Sequence, residues 1–305
     1  MSRPTFRLGL PELVSALALA GLAWFAWRAV QPIVPSAPDA VWRCDDPANQ
    51  GRSVCFVRVA GGVFLMGAQA DDPDAPGFDP AAEPQEGPVH EVTVRPFWML
   101  HTELTVGAYR ACVREGACDE AEVLSGGPLW TYAPVAEPDA PARDQLPLNG
   151  VTWAGARDVC AWLGGTLPSE AQWAWAARGA GAHRWPWGDT PQCGLPPRSD
   201  RFAVRGEFST DCTRTGPLGA RAIPNRSHAG VVGLAGNVWE WTVDGWAEDA
   251  YAHHGAVDPV MPATGTHRAA RGGGWTATTP EELRSSVGLG LPVDAQLPDV
   301  GLRCV

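Results

Sequence analysis

The 305-residue chain contains no lysine: all 23 of its basic side chains are arginines. A lysine nucleophile, or a Schiff base formed on a lysine, is therefore excluded. The 34 acidic side chains outnumber the basic ones and give a net charge of −11. No stretch of the chain carries a basic stripe. Nucleic-acid binding, which needs a basic face to displace counterions, is thus disfavoured.

Metal-binding cysteine patterns are also missing. None of the eight cysteines forms a CxxC pair, and none lies beside a histidine at zinc-finger spacing, so a structural zinc site is not expected. An even number of cysteines downstream of an export signal favours disulfides instead. The cysteines are Cys44, Cys55, Cys112, Cys118, Cys160, Cys193, Cys212 and Cys304.

An apolar run near the start of the chain predicts such a signal. Arg3 and Arg7 precede the run Leu13–Trp27, which ends in aromatic residues, as expected for a segment whose positive end stays inside. We interpret residues 1–30 as a membrane anchor; the alternative is a secreted protein, because Ala18-Leu19-Ala20 offers a signal-peptidase site. In either case the folded domain lies on the extracytoplasmic side, periplasmic or extracellular.

The remaining composition predicts an α+β, loop-rich fold over residues 42–305, after a Pro-rich linker at 31–41. The chain has 35 glycines and 29 prolines, which interrupt helices and strands, and 15 tryptophans, whose large side chains can fill a core between loops. We expect the tryptophan pairs 173/175, 185/187 and 239/241 to pack mainly in the core. Trp239 is the exception, because it is predicted to border a binding groove. The acidic stretch Asp71–Gly87 predicts an exposed loop.

Three helices and four strands are predicted. Thr105 and Thr152 are helix caps, and Ser169 with Gln172 forms a capping box. Beyond residue 180 no further helix is predicted. The predicted helices run from Thr105 to Gly116, over Trp153–Leu163 and over Glu170–Arg178; the predicted strands are Val54–Val59, Val63–Met66, His90–Val94 and Phe97–Leu100.

Several motifs occur in one order between Cys55 and Val305: GGVFLMG at 61–67, the stretch 148–173 ending in LPSEAQW, WPWGD at 185–189, GNVWEW at 236–241, RGGGW at 271–275 and GLRC at 301–304. Together they resemble the formylglycine-generating enzyme, or sulfatase-modifying factor, family. The resemblance implies a large variant of the C-type-lectin-like fold, with few short helices and strands and disulfide staples.

The resemblance also implies one disulfide, Cys160–Cys304, whose long loop makes it worth up to about 5 kcal/mol in the chain-entropy model. The remaining cysteines are paired here with their neighbours along the chain. This gives Cys44–Cys55, Cys112–Cys118 and Cys193–Cys212, which are among the many pairings that eight cysteines allow.

The family's chemistry depends on copper held by two thiolates, and the corresponding positions here are Ala277 and Glu282. Alanine has no lone pair, and a carboxylate is a hard ligand for the soft Cu(I) ion. The serine that precedes the family's tryptophan is replaced by Gly274. We therefore predict that the chain does not generate formylglycine by the family route, and copper is not expected.

A calcium site is the other metal that the resemblance implies. Glu240 and the carbonyls of Gly236 and Val238 are present, but Gly233 stands where the family has a ligand side chain. Calcium prefers six or more oxygens, so either a weak site remains or Glu240 only hydrogen-bonds the backbone.

Iron, used by some relatives, needs a histidine cluster that is not found. His101-Thr102-Glu103 supplies only part of the pattern. His253-His254 is a possible ligand pair, but adjacent histidines in a Gly/Asp-rich loop are expected to be solvated.

The predicted binding groove consists of Trp239, Arg271 and Trp275, with a structural ion pair as the alternative role of Arg271. Three hypotheses follow. The domain is a binding module for an extended peptide or protein partner, an oxidoreductase of altered metal chemistry, or an accessory partner of a catalytic relative.

Overall fold

The computed structural model of the chain describes residues 42–43, 54–127, 129–134, 143–189 and 226–305. The predicted anchor (1–30), the linker (31–41) and three of the cysteines, Cys44, Cys193 and Cys212, lie outside these ranges. Within them, none of the helices combines the length and the apolar character that crossing a bilayer requires.

Three α-helices begin where capping residues predict them. The side-chain oxygens of Thr105 and Thr152 accept hydrogen bonds from the backbone N–H groups of Ala108 and Gly155, and Ser169 and Gln172 form a reciprocal capping box. Across the described residues beyond 180 no further α-helix occurs. The helices are α1 (Val106–Arg114), α2 (Trp153–Trp162) and α3 (Glu170–Arg178).

The strands form three small sheets, ordered β1-β2-β5, β3-β4 and β8-β7-β6-β9. The four predicted strands are confirmed, two of them with their predicted bounds. The described strands are β1 (Trp42–Arg43), β2 (Phe56–Val59), β3 (Gly62–Met66), β4 (His90–Val94), β5 (Phe97–Leu100), β6 (Trp239–Gly245), β7 (His267–Arg271), β8 (Gly288–Pro292) and β9 (Val300–Leu302).

The four-stranded sheet carries most of the residues predicted for function. β6 pairs in parallel with β9, with Trp239 opposite Val300, and antiparallel with β7, with Glu240 opposite Arg271. Helix α3 packs against β6 and β7. Side chains on the helix side of these strands are therefore buried.

Tryptophans fill the core as predicted. Trp173, Trp175, Trp185 and Trp241 are between 0 and 4% exposed, whereas Trp187 and Trp239 are half-buried. Each buried ring also places its indole N–H on an acceptor: Trp241 Nε1 donates to the Val151 carbonyl at 3.0 Å and Trp175 Nε1 to the Ala60 carbonyl at 2.6 Å.

Two of the predicted disulfides lie within the described residues, and both are present. Cys160–Cys304 joins α2 to the segment after β9 over a separation of 144 residues, and Cys112–Cys118 closes the end of α1 over 6 residues. Cys55 is also disulfide-bonded. Its predicted partner Cys44, and the predicted pair Cys193–Cys212, lie outside the described ranges.

The acidic loop is exposed only in part, which corrects the prediction for two of its residues. Asp79 and Glu86 are 3 and 2% exposed, and both bind the guanidinium of Arg284. Burial alone would raise the pKa of Asp79, but hydrogen bonds from Ala81 and Arg184, together with the nearby charge of Arg284, lower it. These two carboxylates therefore fasten the loop to the segment that follows β7.

Candidate functional site

Trp239 and Trp275 are both hydrogen-bonded to the segment 298–299. The backbone N–H of Trp239 donates to the Asp299 carbonyl at 2.7 Å, and the indole N–H of Trp275 donates to the Pro298 carbonyl at 2.8 Å. Both rings are half-buried. The two predicted groove tryptophans are thus brought together by one loop.

Two exposed leucines lie on or next to segments that are joined to the same loop. Leu129 is 47% and Leu297 is 38% exposed. The side chain of Asn149 connects their segments, because its Nδ2 group donates to the carbonyls of Leu129 and Pro298. We call Trp239, Trp275, Leu129 and Leu297, whose segments these hydrogen bonds connect, the apolar edge.

Gly274, beside Trp275, marks a close approach to Asp299. A Cβ atom at position 274 would lie 2.5 Å from Asp299 Oδ2, so a serine side chain has no room in this arrangement. Asp299 is 7% exposed, and Thr276 donates a hydrogen bond to its Oδ2. Burial raises the pKa of this carboxyl. The residues alone did not predict the role of Asp299, because the contact joins two distant segments.

Ala277 occupies the first of the two positions where the resemblance implies a copper-binding thiolate. It is 4% exposed and packs in a small apolar cluster with Trp185, Ala235 and Leu283. Its methyl group therefore contributes to packing and offers no lone pair to a metal.

Glu282 occupies the second thiolate position and serves as a local cap. It lies in the short 3₁₀ helix Pro280–Leu283, and its carboxylate accepts hydrogen bonds from the backbone N–H and the hydroxyl of both Thr278 and Thr279, at 2.8–3.2 Å to Oε1. These bonds satisfy backbone donors at the helix start. The donor set does not fit Cu(I), because neither position supplies sulfur.

Arg271, the third predicted groove residue, lies in the core, so its placement in the groove is corrected. It is 1% exposed because it lies on an inner strand beneath α3. Its Nη1 donates to Glu170 Oε1 at 3.3 Å and to the Tyr251 hydroxyl at 2.9 Å, and its guanidinium lies 5.6 Å from the ring centroid of Trp173. The structure thus gives Arg271 the ion-pair role that was its alternative.

Glu240, the predicted calcium ligand, is completely buried and paired with Arg303. Arg303 Nη2 donates to Glu240 Oε1 at 2.7 Å, and its Nε to Oε2 at 3.0 Å, while Trp173 Nε1 donates to Oε2 at 2.7 Å. A guanidinium therefore occupies the position next to the carboxylate that a cation would need. Gly236, in the left-handed conformation with φ of 80°, and Val238 shape the preceding turn.

Glu103 is a second buried carboxylate, and it lies beside Gly233, the position where the resemblance implies a calcium-ligand side chain. A Cβ at Gly233 would be 2.5 Å from Glu103 Oε1. Burial raises the pKa of Glu103 to about 7; it outweighs the lowering effect of the nearby Arg303 charge, and the charge of Glu240 adds to the rise. Asn237 Nδ2 donates to Glu103 Oε1 at 3.0 Å. These residues form a hydrogen-bonded core around Arg303, and they do not fit a calcium ion with six or more oxygens.

Comparison with known proteins gives the family. The profile of the sulfatase-modifying factor enzyme 1-like domain matches residues 45–305. The chain belongs to this family. Its loop-rich α+β architecture is the fold that the sequence motifs imply.

Relatives within the sulfatase-modifying factor family include proteins named as active and as inactive. The chain is 32% identical over 260 residues to a formylglycine-generating enzyme of Thermomonospora curvata, covering 72% of this chain and 81% of that protein. It is also 32% identical over 295 residues to the "Inactive C-alpha-formylglycine-generating enzyme 2" of Bos taurus, covering 83% and 88% respectively. The percentage identity alone therefore does not show whether this chain resembles the enzyme or the inactive relative more.

Solved structures agree on the fold alone. PvdO from Pseudomonas aeruginosa superposes with a TM-score of 0.67 at 21% identity, covering 83% of this chain and 94% of that one. CarF superposes with a TM-score of 0.54 at 18% identity, covering 83% and 98%. At such identities the similarity supports the architecture and says nothing about chemistry.

Proposed function

We propose that this sulfatase-modifying-factor domain is a non-catalytic module that binds an extended peptide segment of a protein partner. The proposal rests on one observation: the residues at both copper-thiolate positions of the family have other roles in this chain. Ala277 packs in the core and Glu282 caps a helix. With no sulfur at either place, the family's copper chemistry has no ligands.

The apolar edge supports the binding part of the proposal. Half-buried tryptophans are characteristic of binding hot spots, because they offer large rigid contact areas. Trp239 and Trp275 lie there with two exposed leucines. The chain's net charge of −11 favours a partner segment that combines apolar with basic side chains. Attachment through residues 1–30 would present this edge outside the reducing cytosol.

A displayed library of linear peptides, selected against the purified chain, tests the binding proposal. We expect enriched peptides whose affinity falls about tenfold or more in Trp239→Ala and in Trp275→Ala. Trp162→Ala is the matched control, because this half-buried tryptophan lies on α2 and bonds Glu115. Peptides that bind all three variants equally, or no enrichment, would overturn the proposal.

A separate assay tests the loss of oxidase chemistry. The chain is loaded with Cu(I) and incubated in air with a sulfatase-type peptide, and the peptide mass is measured. We expect no aldehyde product and no tight copper binding. The double variant Ala277→Cys/Glu282→Cys should gain 1:1 Cu(I) binding in a chelator competition, whereas each single variant should not. Aldehyde formation by the unmodified chain would contradict the proposal.

A further inference from the structure

Three metal-ligating side chains meet in a cluster that shares no residue with the apolar edge. Glu170 is the first residue of α3, Asp244 lies near the end of β6, and His254 follows the 3₁₀ turn Ala250–His253. One ligand atom from each lies within 4.8 Å of the others. The sequence could not reveal this cluster, because its members come from three separate segments.

The two carboxylates of this cluster are 1 and 0% exposed. Arg271 Nη1 lies 3.3 Å from Glu170 Oε1. The oxygens of Asp244 accept only backbone hydrogen bonds, from Glu170 N and Met261 N, both at 2.8 Å. Asp244 has no ion-pair partner in the ranges that the structure describes. Burial of an unpaired carboxylate is costly, so a cation beside Asp244, either a proton or a metal ion, would lower the free energy.

The hydrogen bonds of His90 determine which ring nitrogen of His254 carries the lone pair. The ring of His90 lies between the Pro88 carbonyl, 2.9 Å from Nδ1, and His254 Nδ1, 3.2 Å from Nε2. A carbonyl only accepts, so neutral His90 carries its proton on Nδ1 and accepts at Nε2. His254 must then donate from Nδ1, and its Nε2 becomes the unprotonated nitrogen.

The Nε2 atom of His254 is buried and has no hydrogen-bond partner among the described residues. A neutral imidazole whose second nitrogen donates to a fixed acceptor is the form in which histidine binds metals.

We propose that Glu170, Asp244 and His254 bind one divalent transition-metal ion of the zinc type. Two carboxylate oxygens and one imidazole nitrogen are a donor set that Zn²⁺ accepts, and three protein ligands leave a position for water. In tetrahedral geometry, metal–ligand bonds of about 2.1 Å place the ligand atoms about 3.4 Å apart. Ligand atoms that lie within 4.8 Å of one another therefore approach by up to about 1.4 Å on binding.

Zinc titration of the untagged full chain tests this site. The chain is stripped with a chelator, and Zn²⁺ is added in competition with a fluorescent zinc indicator. Co²⁺ gives an independent reading, because its visible absorption reports the coordination geometry. We expect one equivalent of tight binding that His254→Ala abolishes. His90→Ala should weaken it about 10- to 100-fold, since His90 only orients the ligand ring.

His253→Ala is the matched control, because the side chain of this neighbouring histidine is 62% exposed. It should bind zinc as the unmodified chain does, and near-UV circular dichroism should show that all variants are folded. Absence of stoichiometric binding in the unmodified chain, or equal loss in His253→Ala and His254→Ala, would overturn the site. Neither result bears on peptide binding at the apolar edge.

Discussion

The buried framework of the four-stranded sheet and the loop that follows β7 satisfy their charged groups in different ways. In the framework, Arg303 binds Glu240 across 63 residues of sequence and Arg271 binds Glu170 across 101. In the loop, Glu282 binds Thr278 and Thr279, only 4 and 3 residues away. The framework therefore depends on distant segments meeting, whereas the Glu282 cap depends only on residues three and four positions away.

This difference explains how the chain keeps the family fold without the family's copper ligands. A side chain whose contacts are local can be exchanged without disturbing contacts elsewhere. Glu282 is such a side chain, whereas Ala277 is a small apolar residue that packs against Trp185 and Ala235 from other segments. We therefore expect large losses of stability from changes in the framework and small ones from changes in the loop.

The long disulfide gives the largest expected effect. Cys160→Ser/Cys304→Ser opens a connection of 144 residues, which the chain-entropy model values at about 5 kcal/mol; Cys112→Ser/Cys118→Ser opens one of 6 residues, valued at about 2 kcal/mol. Urea unfolding of both double variants measures the free energies of unfolding. If the two losses were equal, the long connection would not be what constrains the framework.

The second-largest loss of stability is expected when one member of the buried Glu240–Arg303 pair is removed. Arg303→Ala should lower the free energy of unfolding by about 3–5 kcal/mol, because it leaves a buried carboxylate without its counter-charge. Arg157→Ala is the control: its pair with Asp158 has side chains 52 and 44% exposed, so a loss below about 1 kcal/mol is expected. Thermal and urea unfolding of both variants compare the two. If Arg303→Ala and Arg157→Ala lost similar free energies of unfolding, the buried pair would not stabilise the framework more than an exposed pair does.

Glu103 gives a pH-dependent effect. Its pKa is raised from 4.5 to about 7 by burial in the folded state, so between these values the folded chain binds more protons than the unfolded one. Stability from this group is therefore lost as pH rises from 4.5 through 7, by up to about 3 kcal/mol. Glu103→Gln should flatten that part of the stability–pH curve measured by urea unfolding. The exposed Glu91→Gln should leave it unchanged.

The smallest effect is expected in the loop. Glu282→Ala removes the cap of the 3₁₀ helix and should cost about 1 kcal/mol. The same urea unfolding experiment measures it beside the framework variants. A loss as large as that of Arg303→Ala would show that the loop is part of the framework after all.

The sequence predicted the features that depend on neighbours along the chain. Thr105, Thr152 and Ser169 each cap a helix within three residues, so the helix starts could be read directly from the capping residues. Motif resemblance supplied the long-range pair Cys160–Cys304.

Contacts between distant segments could not be read in this way. Arg271 was placed in a groove because nothing near it in sequence shows that Glu170 and Tyr251 surround it. A pair of adjacent histidines in a Gly/Asp-rich loop predicts a solvated His254; only the fold brings it to Glu170 and Asp244. Such pairings depend on tertiary packing, which a single sequence does not display.

The segment Val300–Cys304 has a consequence for biosynthesis. It provides the parallel strand beside β6, the guanidinium that neutralises Glu240 and one half of the long disulfide. A nascent chain that has been translated only as far as residue 299 lacks all three. Stable folding of the domain must therefore wait until this segment has emerged.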